Sequence, residues 1–185
     1  MNILLLSFSG RDNGNCNGIL KFITHHYDTH SVSSINIKNL NIHGCFNCNY
    51  QCFNSSLLCP YINDDIELIY NKIINSDLTI FLVPTYSEAP PSLYFAFRER
   101  SQCVFKSDTF YKNYTDVKKA FIVLGNKTSG GLDTVNILLN EEKKYTYESV
   151  LLLQSHNYNQ SSIKGELIKC KTVQNEIINF IDSLI

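Results

Sequence analysis

Two stretches of this chain carry residue types that could do chemistry. The first is Ser7-Phe8-Ser9-Gly10-Arg11-Asp12-Asn13-Gly14-Asn15-Cys16-Asn17, set between an apolar run, Ile3 to Leu6, and a helical pattern. A chain that leaves a buried strand, turns on small residues and starts a helix aims several unpaired backbone N–H groups at one point, and that point favours an anion. Ser9, Asn15, Cys16 and Asn17 are short side chains that donate or turn, Gly10 and Gly14 permit positive φ, and Arg11 adds a fixed positive charge. The loop reads as a phosphate cradle, although its composition alone fits an ordinary strand-to-helix turn with an asparagine cap equally well. The second stretch is Cys45-x2-Cys48-x3-Cys52-x6-Cys59, followed by Pro60. Four thiols so close could hold an iron-sulfur cluster or a tetrahedral zinc ion, form a disulfide, or stay unliganded.

Positioning these groups falls to the elements around them. Ile3 to Leu6 is continuous and apolar, the mark of a strand buried on both faces of a parallel sheet. Ile19, Leu20, Phe22, Ile23 and Tyr27 give the stripe of a first helix, and Ser31 to Ile37 reads as a second, less buried strand. The cysteine-rich part has no helical or strand period and reads as an insertion at about residues 43–62. Asn63-Asp64-Asp65 then caps a helix with apolar residues Ile66, Ile69 and Ile73. Leu78 to Val83 is a third strand ending at Pro84, and Pro90-Pro91 opens the helix carrying Leu93, Ala96 and Phe97. Ala120 to Leu124 is a fourth strand, followed by the polar loop Gly125-Asn126-Lys127-Thr128-Ser129-Gly130-Gly131 and a helical pattern from Leu132 to Lys144. Val150 to Leu153 is the fifth strand, and Val173, Ile177, Phe180, Ile181 and Leu184 mark a terminal helix. Five alternations of strand and helix predict a single α/β domain over 1–185, a three-layer sandwich with a five-stranded parallel sheet and right-handed crossovers. If the strands take the flavodoxin-like order 2-1-3-4-5, the unusual loops after strands 1, 3 and 4 meet at the topological switch point.

Read from Ser9, the first loop resembles the Ser-Pro-Arg-x-x-Gly-Asn-Thr/Ser signature of the flavodoxin-like NADPH-dependent FMN reductases and their relatives, the iron-sulfur flavoproteins. Ser9, Arg11, Gly14 and Asn15 are in register, with Gly10 in place of the proline and Cys16 in place of the hydroxyl residue. The segment from Pro84-Thr85-Tyr86-Ser87 to Glu99-Arg100 resembles the family's Pro-Val/Thr-Tyr strand end and the helix after it. The resemblance implies a flavodoxin-like fold, FMN as cofactor and NAD(P)H as co-substrate. The acceptor would be a quinone, a free flavin, an azo or nitro compound, or an electron-carrier protein. Ser9, Arg11, Asn15, Cys16 and Asn17 would take the phosphate, and Pro84, Thr85, Tyr86 and Ser87 would lie along the isoalloxazine with backbone groups facing its polar edge. Gly125, Asn126, Lys127 and Gly130 would close the other side, where amides or Lys127 stabilise the negative charge left by reduction. Hydride transfer to a flavin needs orientation rather than a protein acid or base, so no side chain is assigned a catalytic role.

The cysteine run resembles the four-cysteine motif of iron-sulfur flavoproteins, which implies a [4Fe-4S] cluster on Cys45, Cys48, Cys52 and Cys59. Its middle gap is three residues where that motif has two, and Ile42 stands where the first cysteine would fall. Two rival functions follow: an iron-sulfur flavoprotein carrying electrons between proteins, and a degenerate, non-catalytic binding module. Gly10 and Glu88 speak for the second, because the family usually has glycine at the Glu88 position. Relatives pair their subunits over the flavin, which implies a homodimer or homotetramer.

Composition excludes other classes. With 185 residues, 44% hydrophobic, and a net charge of -1, the chain has no basic surplus for nucleic acid. Its first apolar run is too short for a signal peptide or a membrane span, so a cytoplasmic protein without membrane contact is expected. Cys16, Cys103 and Cys170 read as buried small hydrophobes outside the cluster, Arg100 as a structural charge, and His25 and His26 as surface residues.

Overall fold

Five parallel strands form the centre of the structure, β1 (Asn2–Ser7), β2 (Ser31–Asn36), β3 (Leu78–Pro84), β4 (Lys118–Gly125) and β5 (Val150–Gln154). Their order is β2-β1-β3-β4-β5, the one that the flavodoxin-like resemblance implies. The computed structural model describes residues 1–46, 48–54, 58–126, 130–141 and 145–185. β3 is buried along its whole length, whereas the edge strand β2, Ser-Val-Ser-Ser-Ile-Asn, stays partly in solvent because four of its six residues are polar.

Successive strand residues point to opposite faces. Ile3, Leu5, Ile80, Leu82 and Ile122 pack with α1 (Asn15–His26) and α7 (Lys171–Asp182). Leu4, Leu6, Phe81, Val83 and Phe121 face the other layer, α2 (Ile66–Ile74), α3 (Ser92–Glu99), α4 (Ser101–Val104), α5 (Asp108–Asp116) and α6 (Gly130–Glu141). Each helix buries one stripe: Ile19 and Ile23 on α1, Ile66, Ile69 and Ile73 on α2, Val173, Ile177 and Ile181 on α7. Every such side chain contributes about 1.5–3 kcal/mol relative to exposure. The second layer is aromatic, with Phe81 stacked on Phe121 at 5.0 Å and Tyr70 on Phe97 at 4.7 Å. Among the described residues no helix is long and apolar enough to cross a membrane.

Two features depart from the sequence pattern. α5 has only a two-residue apolar stripe, Phe110 and Tyr114, of which Tyr114 alone is fully buried, and the clearer signal is Ser107, whose hydroxyl accepts the Phe110 N–H at 3.1 Å. The Asn63-Asp64-Asp65 segment does more than cap. Asp64 Oδ1 accepts the Ile66 N–H at 3.2 Å, but both Asp64 oxygens bind the Arg100 guanidinium, which is 1% exposed. Arg100 Nη2 also donates to the Tyr61 carbonyl at 2.8 Å and Nη1 to that of His43 at 3.3 Å. Burial alone would push the guanidinium pKa down, and the Asp64 carboxylate more than offsets it, so the charge is retained. Arg100 thus ties the cysteine-rich segment to the start of α2.

Register decides which loops meet. Ser7 pairs with Leu82, Pro84 with Leu124, and Gly125 with Gln154, so the connections after β1, β3, β4 and β5 all leave the same edge of the sheet.

Candidate functional site

At that edge lies a cavity of about 430 Å³. Ser9, Arg11, Gly14, Asn15 and Cys16 line it from the β1–α1 loop, and Pro84, Thr85, Tyr86 and Ser87 from the loop after β3. Leu124, Gly125 and Asn126 line it from the end of β4. The convergence expected of three distant connectors is therefore present, at the switch point between β1 and β3. Gly14 is the extended N-cap of α1, and Asn15, Cys16 and Asn17 form its first turn. Among the described residues no hydrogen bond to another residue uses their backbone N–H groups. The Ser9 hydroxyl accepts the Arg11 N–H at 3.1 Å and folds the loop back beside them. First-turn donors without a partner at the positive end of a helix dipole favour negative charge at this wall of the cavity.

Individual side chains are used differently from the sequence expectation. Arg11 reaches the cavity wall, but its Nη2 donates to the Ile163 carbonyl at 2.9 Å. Asn15 Oδ1 accepts the Leu167 N–H at 3.1 Å. Asn17 is not in the wall; its amide donates to the Asp12 carbonyl and holds the loop's shape. Burial pushes the Cys16 thiol up to about 12, against the opposing hydrogen bonds of Ser9 and Ser7, so it meets the cavity as a neutral S–H donor. Lys127 lies outside the described residues. Gly130 starts α6 with its Cα side against Thr85 and Glu88 rather than in the cavity wall. A Cβ on Gly131 would stand 2.6 Å from Leu152 Cδ1, so this glycine lets α6 pack onto the sheet.

The loop after β3 is a tight hairpin. Tyr86 and Ala89 exchange backbone hydrogen bonds at 2.9 and 3.1 Å, and the Thr85 N–H donates to the Leu124 carbonyl at 2.9 Å. The Thr85 and Tyr86 N–H groups are consequently engaged by the protein itself, although both residues line the cavity. Ser87 and Glu88 at the hairpin tip have φ of 48° and 67°. That geometry suits glycine, which explains why glycine stands at the Glu88 position in the resembling family. Glu88→Gly is expected to raise stability by about 0.5–1 kcal/mol through relief of the left-handed conformation; a urea titration with an unchanged slope and a higher midpoint would show it. Tyr86 is not a core residue: it is 43% exposed at the mouth of the cavity.

The cysteine set does not assemble. Among the described residues no three His, Cys, Asp or Glu side chains are gathered to hold a metal ion, and the seven cysteines are free thiols. Cys45 is exposed with its thiol 3.5 Å from the Glu99 carbonyl, while Cys59 is buried 3.9 Å from Arg100 Nη2. Cys45 and Cys59 are held by neighbouring residues of the α3–α4 joint, Cys48 and Cys52 lie near enough to Cys45 to help raise its pKa, and nothing among the described residues supports the iron-sulfur cluster implied by the spacing. Cys103 is buried as expected, its thiol pushed up to about 11 chiefly by burial. Cys170 differs: it is half-buried at the N-cap of α7, where the Val173 N–H leads the groups that lower its pKa. Brief alkylation of the native protein at pH 7 should therefore label Cys170 ahead of Cys45, and Cys16 and Cys103 last, as read by peptide mass spectrometry.

Sequence reasoning missed Ser162, which lines the cavity from the connector between β5 and α7. No motif marks it; its only sequence signal is a Gly- and Ser-containing stretch after a strand's carboxyl end.

A family model described as NADPH-dependent FMN reductase matches residues 1–141. No curated protein matches the chain at a significant level. Among solved structures, the chain is similar to RosB with the bound intermediate 8-demethyl-8-formylriboflavin-5'-phosphate, at a TM-score of 0.68 and 13% identity over 100% of this chain and 80% of that one. It is similar to the flavoenzyme NAD(P)H:(acceptor) oxidoreductase FerB from Paracoccus denitrificans, at a TM-score of 0.55 and 12% identity over 98% and 95%. It is also similar to the azoreductase AzrA, at a TM-score of 0.61 and 10% identity over 99% and 98%. At these identities the likeness establishes the fold, which is flavodoxin-like.

Proposed function

The chain belongs to the NADPH-dependent FMN reductase family, and from that membership we propose that it is an FMN-dependent NAD(P)H oxidoreductase whose flavin occupies the crevice over the carboxyl ends of β1, β3 and β4. The observation that carries this reading is the pair of N–H groups on Asn15 and Cys16, used by no hydrogen bond among the described residues, at a cavity that these two residues line together with the loops after β3 and β4. Those amides, the Ser9 hydroxyl and the neutral Cys16 thiol would hold the phosphate. The hairpin Tyr86–Ala89 and residues Gly125 and Asn126 would bound the isoalloxazine on two sides. FMN, when bound, supplies two-electron chemistry, accepting a hydride from a nicotinamide and passing electrons on. The protein's part is orientation, and Tyr86 at the cavity mouth offers an aromatic face on which a flat partner can stack.

The electron acceptor is in this reading a small planar molecule, a quinone or an azo, nitro or flavin compound. The family, and the azo class in the name of AzrA, support it. Stripped of flavin, the protein should quench FMN fluorescence stoichiometrically. The reloaded protein should bleach on anaerobic mixing with NADPH or NADH and regain its colour with a quinone. Absence of FMN binding at micromolar concentrations would end this reading.

A further inference from the structure

We propose that the β5–α7 connector is a built part of the phosphate site and makes the protein select FMN over unphosphorylated riboflavin, with Ser162 as a direct phosphate donor and Gly165 as the residue that locks the connector onto the cradle. The inference rests on the flavin reading above and goes beyond it, because the connector lies after residues 1–141, the part matched by the family model.

The connector is a constructed turn. Ser161 Oγ accepts the N–H groups of Ile163 and Lys164 at 3.2 and 3.3 Å, and Gly165 closes the turn at a φ of 69°. It is then joined to the cradle at three places. Arg11 Nη2 donates to the Ile163 carbonyl, Asn15 Oδ1 accepts the Leu167 N–H, and Gly165 lies against the Asn13 carbonyl. A fourth tie reaches the loop after β4, where the His156 N–H donates to the Asn126 carbonyl at 3.1 Å. The connector thus bridges two loops that line the cavity, and between those ties it contributes Ser162 to the wall. A hydroxyl there, on the same cavity as the α1 first-turn amides, adds a donor to an anion, and a hydrogen bond to a charged acceptor is stronger than a neutral one.

Gly165 shows how close the fit is. A Cβ at this position would stand 2.4 Å from the Asn13 carbonyl oxygen and 3.2 Å from the Asn13 and Gly14 carbonyl carbons. All three are backbone atoms of the cradle, so a side chain here must push the connector off or reshape the loop that presents the amides.

Flavin-stripped wild type, Ser162→Ala and Gly165→Ala proteins are titrated with FMN and with riboflavin by fluorescence quenching, with far-UV circular dichroism on each. Wild type should prefer FMN. Ser162→Ala should lose about tenfold in FMN affinity with riboflavin affinity unchanged, and Gly165→Ala should lose more, again for FMN alone. Equal losses for both flavins, or unchanged FMN affinity in Ser162→Ala, would overturn the proposal even if Gly165→Ala fails to fold. Wild type that binds neither flavin would instead remove the parent reading, and this one with it.

Discussion

The Ser9→Asp variant should fold and bind FMN about a thousandfold more weakly than the wild type, the loss expected for about 4 kcal/mol of repulsion. Ser9 is buried in the cavity wall and its oxygen accepts the Arg11 N–H. An aspartate oxygen can take over that bond, so the loop keeps its turn. What changes is the charge beside the first-turn amides of α1. At an effective dielectric of about 20, two like charges about 4 Å apart repel by about 4 kcal/mol, and the new carboxylate also satisfies the donors a phosphate would use. Riboflavin lacks the phosphate, so its affinity should change far less. Fluorescence titration of the stripped protein with each flavin measures both. Equal affinities for FMN in variant and wild type would place the phosphate elsewhere.

The second large effect is on stability. Asp64→Ala should cost about 3–5 kcal/mol, because it leaves the Arg100 guanidinium buried without its counter-charge. Arg100 is already at its limit: among the described residues its Nε has no hydrogen-bond partner. The loss is a sizeable share of a typical domain stability of about 5–15 kcal/mol, and urea unfolding would register it. Pairing the change with Arg100→Met should restore most of it, since a buried ion pair replaced by apolar groups is often near neutral. If the double variant were no more stable than Asp64→Ala, the isolated charge would not be the cause. Neither residue lines the cavity, so FMN affinity of the folded protein should not move.

The two expectations draw on different depths of sequence reading. That Ser9 belongs to the turn that opens α1 was legible from small residues between an apolar run and a helical stripe. That Asp64 is the partner of Arg100 was not, since Asp64 next to Asp65 just ahead of Ile66 has the form of a helix cap and does fill part of that role. The helix α5 was hard to read for a related reason: it covers the aromatic layer with Tyr114 and the half-buried Phe110, and a stripe of two residues shows hardly any period. The cysteine spacing pointed to a shared metal, whereas Cys45 and Cys59 are drawn to the Glu99–Arg100 joint, a contact 54 residues away for Cys45 and 41 for Cys59.

What the sequence by itself determined is whatever depends on neighbours along the chain: five strands, their parallel direction, and the small-residue loop that opens α1. These follow from burial and turn chemistry, which repeat every two to four residues. Only the tertiary structure decided which of the loop's side chains remain for a ligand. Arg11 and Asn15 spend hydrogen bonds on Ile163 and Leu167, each 152 residues further on, and Ser162 enters the cavity only because that connector is folded back across the sheet. A hydrogen bond between residues so far apart leaves no periodic trace, because either partner alone is an ordinary polar residue in a loop.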